Sequence, residues 1–210
     1  MNNASTFEYH GGPPVQLIVN EERATTLKEI SLNLPDITLN DRQLCDLELL
    51  ATGVFSPLDG FMTRSDYESV LDRMRLQSNV LWPIPICLGI SDTKARTLEV
   101  GQSVTLRDHE GFLLAIMHIE DMWPVDREKE ASLVYGTTDI MHQGVKYLMN
   151  VEGDYYIGGK LEVLSTPLHF DFKQLRMTPQ EIRGVYHKLK WKRVLGFQTH
   201  ETPSSVFSLK

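Results

Sequence analysis

An amphipathic segment near the start of the chain, residues 41–51, places the strongest constraint on the fold. Leu44, Leu47, Leu50 and Ala51 recur at three- and four-residue spacing, which puts them on one face of a helix. Because an apolar stripe of this width is unfavourable in water, that face must pack against the rest of the protein. The segment therefore predicts a helix that lies on a hydrophobic core.

The ends of this helix and the turn after it also carry signals. Thr38 followed by Asp41 predicts a helix start, and Gly53, just past the apolar run, predicts its end. Residues 56–60, Ser-Pro-Leu-Asp-Gly, predict a chain reversal, because proline presets φ and glycine accepts positive φ. This reversal would return the flanking phenylalanines to one core.

The rest of the first 164 residues alternates short helices with strands. We predict helices over residues 21–30, 65–74 and 126–135. We predict strands over residues 15–19, 80–90, 103–107, 112–122 and 155–164, with a hairpin turn at 108–111. Gly158 and Gly159 predict a bulge or a close backbone approach. The pattern indicates an α+β protein whose main part is a β barrel domain with peripheral helices.

A second unit is predicted after residue 175. Proline, histidine and aspartate interrupt the strand pattern over residues 167–176, which predicts a boundary. Thr178, Pro179 and Glu181 then form a strong helix start, with a threonine cap and a proline at the first helical position. Residues 194–197 indicate a short buried strand of the kind that begins a parallel α/β sheet.

Composition excludes several classes of protein. The 210 residues are 41% hydrophobic and carry a net charge of −7 with no basic block, so nucleic acid binding is not expected. Cys45 and Cys87 form neither a disulfide framework nor a zinc spacing, and we predict buried thiols. His118 is predicted to be a satisfied or surface histidine, so no metal site is proposed. The chain shows no signal peptide or membrane span, and we expect a cytoplasmic protein.

Six segments, in order along nearly the whole chain, resemble the N-terminal part of ATP sulfurylase (sulfate adenylyltransferase). These segments are residues 10–12, 44–62, 81–86, 136–142, 156–159 and 197–199. The Leu-Trp-Pro-Ile-Pro-Ile run within them is most similar to bacterial forms, some of which carry a fused adenylylsulfate kinase. The resemblance implies a PUA-like domain over residues 1–170 and the incomplete beginning of a nucleotide-binding α/β catalytic domain over residues 175–210.

The resemblance also implies a chemistry, in which Mg-ATP and sulfate are substrates of the intact family enzyme. Gln198 matches a substrate-binding position and Thr199 a catalytic position of the family's Gln-Thr-Arg-Asn-Pro run. His200 and Glu201 then stand where the family has arginine and asparagine, and a carboxylate beside two anions would repel them. The family's His-x-x-His element does not follow, as expected of a truncation or a frameshifted end. We therefore expect this chain alone to be inactive and to bind no cofactor.

Two other readings remain open. A stand-alone PUA-like module could bind RNA or a protein partner through its β surface or the basic residues 188–193, although the charge of −7 argues against RNA. Alternatively, residues 194–197 could pair with another chain and give a homo-oligomer. His142 is predicted to be structural. Trp82, Trp123 and Trp191 are predicted to lie in the core or at a domain interface.

Overall fold

A mixed β-sheet lies at the centre of the protein, in a computed structural model that describes residues 10–196. Within these residues the strands are β1 Asp36–Thr38, β2 Gly60–Phe61, β3 Leu88–Ile90, β4 Ser103–Arg107, β5 Leu113–Pro124 and β6 Tyr155–Val163. Their order is β1-β4-β5-β6-β2, and β3 also pairs with β6. Only β1 and β4 run parallel; the other paired strands are antiparallel.

Helices surround this sheet, which confirms the α+β class. They are α1 Glu21–Ser31, α2 Asp41–Ala51, α3 Arg64–Arg73, α4 Asp92–Ala95, α5 Arg127–Glu130, α6 Gln143–Asn150 and α7 Pro179–Lys188. A π-helical turn, Ala131–Tyr135, continues α5, and a 3₁₀ turn covers Lys173–Leu175. No helix within residues 10–196 has the length and apolar content that crossing a membrane would require.

Helix α2 forms as its apolar spacing predicts, but it begins differently. Asn40 is the cap: its side chain accepts from the backbone of Gln43, whose side chain accepts in return from the backbone of Asn40, at 2.9 and 3.0 Å. The predicted start at Thr38 is wrong because that residue belongs to β1. Leu47 and Leu50 are fully buried in the main core, and Gly53 follows the helix with φ +79°.

The long β5–β6 ribbon holds the sheet together, and its two central glycines behave as predicted. The register of β5 shifts between Ile119 and Asp121, opposite Gly158 and Gly159. A side chain on Gly158 would meet the backbone of Met62. Glycine is required here because backbone atoms, which cannot change rotamer, occupy the position that a side chain would take.

The hairpin and the helix after it also follow the sequence. Strands β4 and β5 pair around the predicted turn, with Gly111 at φ +86°. Asp126 caps α5 by accepting from the backbone of Lys129 at 3.1 Å, and the helical stretch ends at Gly136 with φ +68°. Trp123 on β5 is buried, as predicted for a core tryptophan. These elements are local in sequence, so local patterns were sufficient to predict them.

Several local expectations are wrong. Residues 15–19 form no strand; Ile18 makes a single bridge to Val163 of β6. No capping box opens α3, since Thr63 rather than Ser65 is its N-cap residue and makes no side-chain cap bond. Met74 is exposed because it takes a left-handed conformation, φ +52°, at the end of that helix.

The predictions for the cysteines and tryptophans are confirmed for some of these residues and wrong for others. Cys45 is exposed, contrary to prediction, because it lies away from the buried stripe of α2; Cys87 is partly buried. Trp82 is buried in the main core, as predicted. Trp191 is 49% exposed and stacks on Tyr186, with ring centroids 5.7 Å apart.

In the last described residues the predicted helix forms, whereas the predicted strand does not. Helix α7 has the predicted capping box, in which Thr178 and Glu181 bond reciprocally. The predicted buried strand over 194–197 is wrong for residues 194–196, which pair with no strand, and Leu195 is almost fully exposed. Phe197 lies outside the described residues. A parallel strand needs neighbours on both sides, and the sheet described here offers none to this segment.

Candidate functional site

The two residues predicted to carry chemistry, Gln198 and Thr199, lie outside the described residues, as do His200 and Glu201. We considered three polar clusters in the described part of the chain as candidate sites. One is a buried carboxylate, one faces an open groove, and one crosses the sheet. Each is built from residues far apart in sequence.

The buried cluster centres on Glu130 at the junction of α5 and the π-helical turn. Its carboxylate accepts hydrogen bonds from the hydroxyl groups of Tyr67 on α3, at 2.9 Å, and of Tyr156 on β6, at 3.1 Å. Trp123 packs against both tyrosine rings, with centroid distances of 5.5 and 5.9 Å. Two donors on one carboxylate satisfy a group whose burial would otherwise be costly.

Burial dominates the electrostatics of this cluster. It raises the pKa of Glu130 above its ordinary value, although the two tyrosine hydrogen bonds act in the opposite direction. Burial and the nearby Glu130 carboxylate raise the pKa of both Tyr67 and Tyr156. Burial also raises the pKa of the Cys87 thiol well above its ordinary value. Cys87 is therefore a protonated packing residue at neutral pH, and it lacks the character of a nucleophile.

The second cluster lies beside α2 and faces a groove. The Arg42 guanidinium lies 3.8 Å from carboxylate oxygens of Asp46 and of Glu152, and 4.8 Å from the ring centroid of Tyr147. Burial raises the pKa of both Asp46 and Glu152, and Arg42 opposes this effect. The contact with Arg42 stabilises the charged form of the two partly buried carboxylates.

The groove beside Glu152 is wide and open, with a volume of about 580 Å³. It is lined by residues 36–38, 40, 43, 89–91, 94 and 151–154. Its charged lining comprises Asp36, Glu152 and Asp154 against Lys94. An acidic lining of this kind disfavours polyanions such as sulfate or a triphosphate.

The third cluster crosses the face of the sheet and provides hydrogen-bond partners for both ring nitrogens of His118, as predicted. Its Nε2 atom lies 2.9 Å from an oxygen of Glu162, and its Nδ1 atom lies 2.8 Å from the Ser103 hydroxyl. Arg23 of α1 donates two hydrogen bonds to the same carboxylate, at 2.7 and 2.8 Å. The donors from Arg23 and His118 lower the pKa of Glu162 to about 2. Among the described residues no cluster of His, Cys, Asp and Glu could hold a metal ion.

We expect the stability contributed by Glu162 to depend on pH. Since its pKa falls from 4.5 in an unconstrained chain to about 2 in the fold, the contribution is complete above pH 4.5 and is lost as pH falls towards 2. Glu162→Gln should lower the free energy of unfolding by about 1 kcal/mol at pH 7, because the Arg23 partner is partly exposed and screened. Urea unfolding at pH 7 and pH 3 measures the effect, which should shrink at pH 3.

The matched control is Glu68→Gln, which breaks the exposed Arg64–Glu68 pair on α3. That change should stay within about 0.5 kcal/mol at both pH values, as exposed helix pairs contribute little. An equal effect of both substitutions would contradict a special contribution of Glu162.

The remaining histidines of interest have structural contacts. His142 precedes α6 and lies against Tyr135, with ring centroids 5.1 Å apart. His169 bonds to the Glu48 carboxylate of α2 at 2.8 Å, which ties the segment after the sheet to that helix. The basic residues 188–193 are exposed, as predicted for a solvated helix end.

Comparison with known proteins identifies the main domain. Residues 7–166 match the PUA-like domain family, which covers three quarters of the chain and all six strands of the sheet. The chain belongs to the PUA-like domain family. This PUA-like domain thus contains all three polar clusters described above.

Longer similarities extend beyond that domain. The chain is 41% identical over 194 residues to the sulfate adenylyltransferase of Gibberella zeae, a match to 90% of this chain and 34% of the relative. It is 40% identical over 175 residues to that of Schizosaccharomyces pombe, a match to 82% of the chain and 36% of the relative. The chain thus spans about a third of the length of the curated relatives that it matches.

A solved structure shows the same fold. The hexameric APS kinase from Thiobacillus denitrificans superposes with a TM-score of 0.69 and is 32% identical, with 88% of this chain and 32% of that chain covered. Again the similarity covers about a third of the longer protein.

Reasoning from sequence missed the Glu130 and Glu152 clusters. Both acids lie in stretches whose charge pattern is typical of exposed helix ends and turns. The partners of Glu130 are 63 and 26 residues away in sequence, at Tyr67 and Tyr156, and no local spacing indicates them. The polar face of α2 gave one weak signal, since Arg42 and Asp46 stand four residues apart.

Proposed function

We propose that this chain is the N-terminal portion of a sulfate adenylyltransferase, whose family makes adenylylsulfate and pyrophosphate from ATP and sulfate, with magnesium bound to the nucleotide. The observation that carries the proposal is the match at about 40% identity over 90% of the chain. A match of that extent must pass Thr178 and include α7, so it is not a likeness of the PUA-like domain alone.

The chemistry belongs to the residues after α7 and to sequence beyond them. Gln198 is the proposed substrate-binding residue and Thr199 the proposed catalytic residue, as the family's motif implies. Adenylyl transfer brings two anions together, which requires cationic and N–H donors. The acidic groove beside Glu152 lacks that character. Its charge supports an anion site elsewhere in the enzyme.

The finer architecture follows from the same proposal. Residues 1–170 form the PUA-like domain with barrel character, and residues 175–210 begin the nucleotide-binding catalytic domain. The chain acts in the cytoplasm within a homo-oligomer and is related to bacterial forms, some fused to adenylylsulfate kinase. The similarity to the hexameric APS kinase from Thiobacillus denitrificans supports the homo-oligomer and the relation to bacterial forms.

The test is pyrophosphate release from ATP and sulfate in the presence of magnesium. The 210-residue chain alone should release none above background. A chimera in which residues 1–196 replace the matched part of the Schizosaccharomyces pombe enzyme, so that the yeast sequence supplies the positions of His200 and Glu201, should release pyrophosphate in a sulfate-dependent reaction. The unaltered yeast enzyme is the control.

Two results would contradict the proposal. Turnover by the isolated chain would show that it carries a complete site. A folded chimera without turnover would mean that this chain cannot serve in a sulfate adenylyltransferase. Salt-dependent RNA binding by the chain, together with a silent chimera, would favour the stand-alone binding module, with the exposed basic residues 188–193 as its contact.

A further inference from the structure

The segment after the PUA-like domain exposes an unusual amount of apolar surface. Phe170 and Phe172 are 84% and 72% exposed, and Leu168, Leu175 and Leu195 are each more than 70% exposed. No side chain of α7 is buried. Several strongly exposed apolar side chains in one short segment indicate an interaction site, whereas single exposed apolar residues are ordinary.

Polar contacts hold this segment in place while its apolar groups face outwards. His169 bonds to Glu48 of α2, and Arg176 pairs with Asp171 at 3.2 Å. The amino group of Lys173 lies 5.9 Å from the ring centroid of Phe170. The His169–Glu48 bond therefore ties the exposed apolar side chains to the PUA-like domain.

A groove runs alongside this segment. It has a volume of about 370 Å³ and lies between Val54, in the loop after α2, and the α7 side chains Ile182 and Tyr186. It is also lined by Met177, Pro179, Arg183 and Val194. The groove joins the PUA-like domain to the segment after it, so an occupant would contact both.

Two observations point to the occupant. The exposed segment begins at residue 168, just after the region that matches the PUA-like family, yet the match to sulfate adenylyltransferases includes its residues through α7. Those relatives carry about twice as much further polypeptide as the part that this chain matches.

We propose that residues 168–196, together with Val54, form the docking surface for the part of a sulfate adenylyltransferase that lies outside this sequence. The proposal rests on the proposed function and names the surface and its partner. Phe170 and Phe172 supply the apolar contact, and the groove beside α7 receives an apolar element of the partner. The Glu48–His169 bond sets the position of the segment relative to the PUA-like domain.

The test is co-expression of the 210-residue chain with the unmatched two thirds of the Schizosaccharomyces pombe enzyme, each with its own affinity tag. A stoichiometric complex should be recovered. The double substitution Phe170→Ser and Phe172→Ser should reduce its yield at least tenfold. Phe112→Ser is the matched control, because Phe112 is 61% exposed on the β4–β5 hairpin and should leave the yield unchanged.

Several outcomes would overturn the proposal. The first is a complex that the double substitution does not weaken. The second is the absence of a complex when the yeast enzyme's own two parts do assemble. The third is a dimer of the chain alone that the double substitution abolishes. The last result would assign the surface to a second copy. Recovery of a complex that releases no pyrophosphate would contradict the proposed function and leave the docking surface standing.

If the yeast portion does not fold as a separate chain, the proposal can still be tested on a single chain. In the chimera that tests the function, the double substitution should lower the midpoint of thermal unfolding, and Phe112→Ser should not. Equal midpoints for the two variants would overturn the proposal independently of activity.

Discussion

Replacing Gly159 with alanine should strongly destabilise the fold. Gly159 has φ +152°, and its new methyl group would meet the carbonyl oxygen of His118 and the backbone nitrogen of Glu120 on β5. Both are backbone atoms and cannot move by a change of rotamer, so β5 and β6 must separate locally. Backbone strain and overpacking together should lower the free energy of unfolding by about 4 kcal/mol. Urea unfolding followed by circular dichroism measures this loss.

Gly101→Ala separates the two causes. Gly101 also has positive φ, +89°, but no atom lies within 4 Å of the position that its side chain would take. It should therefore lose only about 1 kcal/mol, from backbone strain. Equal losses for Gly101→Ala and Gly159→Ala would show that the close approach of β5 contributes nothing.

The same glycine shows which parts of the fold can be predicted from sequence. Adjacent Gly158 and Gly159 in an apolar strand indicate a close backbone approach, and the β5–β6 ribbon confirms it. The identity of the approaching strand could not be predicted. His118 is 41 residues away, and the register depends on the whole sheet.

Local patterns predict elements, whereas pairing depends on distant partners. Apolar spacing and Gly53 predict α2 within a few residues, and the 103–107 strand is correct at both ends. The parallel pairing of Ile37 with Leu106 has no local signal, because a three-residue strand carries little periodicity. The strand over 194–197 fails for the opposite reason: its apolar sequence is suitable, but the described sheet gives it no neighbour.

The candidate sites show the same contrast between what a sequence motif indicates and what depends on distant partners. Gln198 and Thr199 came from resemblance to a family motif, since physical reasoning alone treats a polar strand end as a loop junction. The Glu130 cluster has the reverse character, because its geometry is well defined and the sequence does not indicate it. Acidic residues near a helix end are normally exposed, so a buried one is found only when its partners are known.

Glu130 is the second position where we expect a large effect. Glu130→Ala would leave the hydroxyl groups of Tyr67 and Tyr156 buried without their acceptor and would open a cavity beside Trp123. Each unsatisfied buried hydroxyl costs about 1–3 kcal/mol, so the free energy of unfolding should fall by about 3 kcal/mol. Glu130→Gln keeps an acceptor oxygen of similar shape and should stay within about 1 kcal/mol of the parent protein.

The pH dependence distinguishes loss of the acceptor from loss of the charge. Because burial raises the pKa of Glu130, the unfolded chain ionises first, and this residue lowers stability as pH rises from its ordinary value of 4.5 to the higher value in the fold. Glutamine cannot ionise, so Glu130→Gln should gain stability relative to the parent protein between pH 5 and pH 7.5. Urea unfolding at both pH values measures this gain. A constant difference would mean that Glu130 is not desolvated, and equal losses for alanine and glutamine would mean that the tyrosine hydroxyls do not depend on this acceptor.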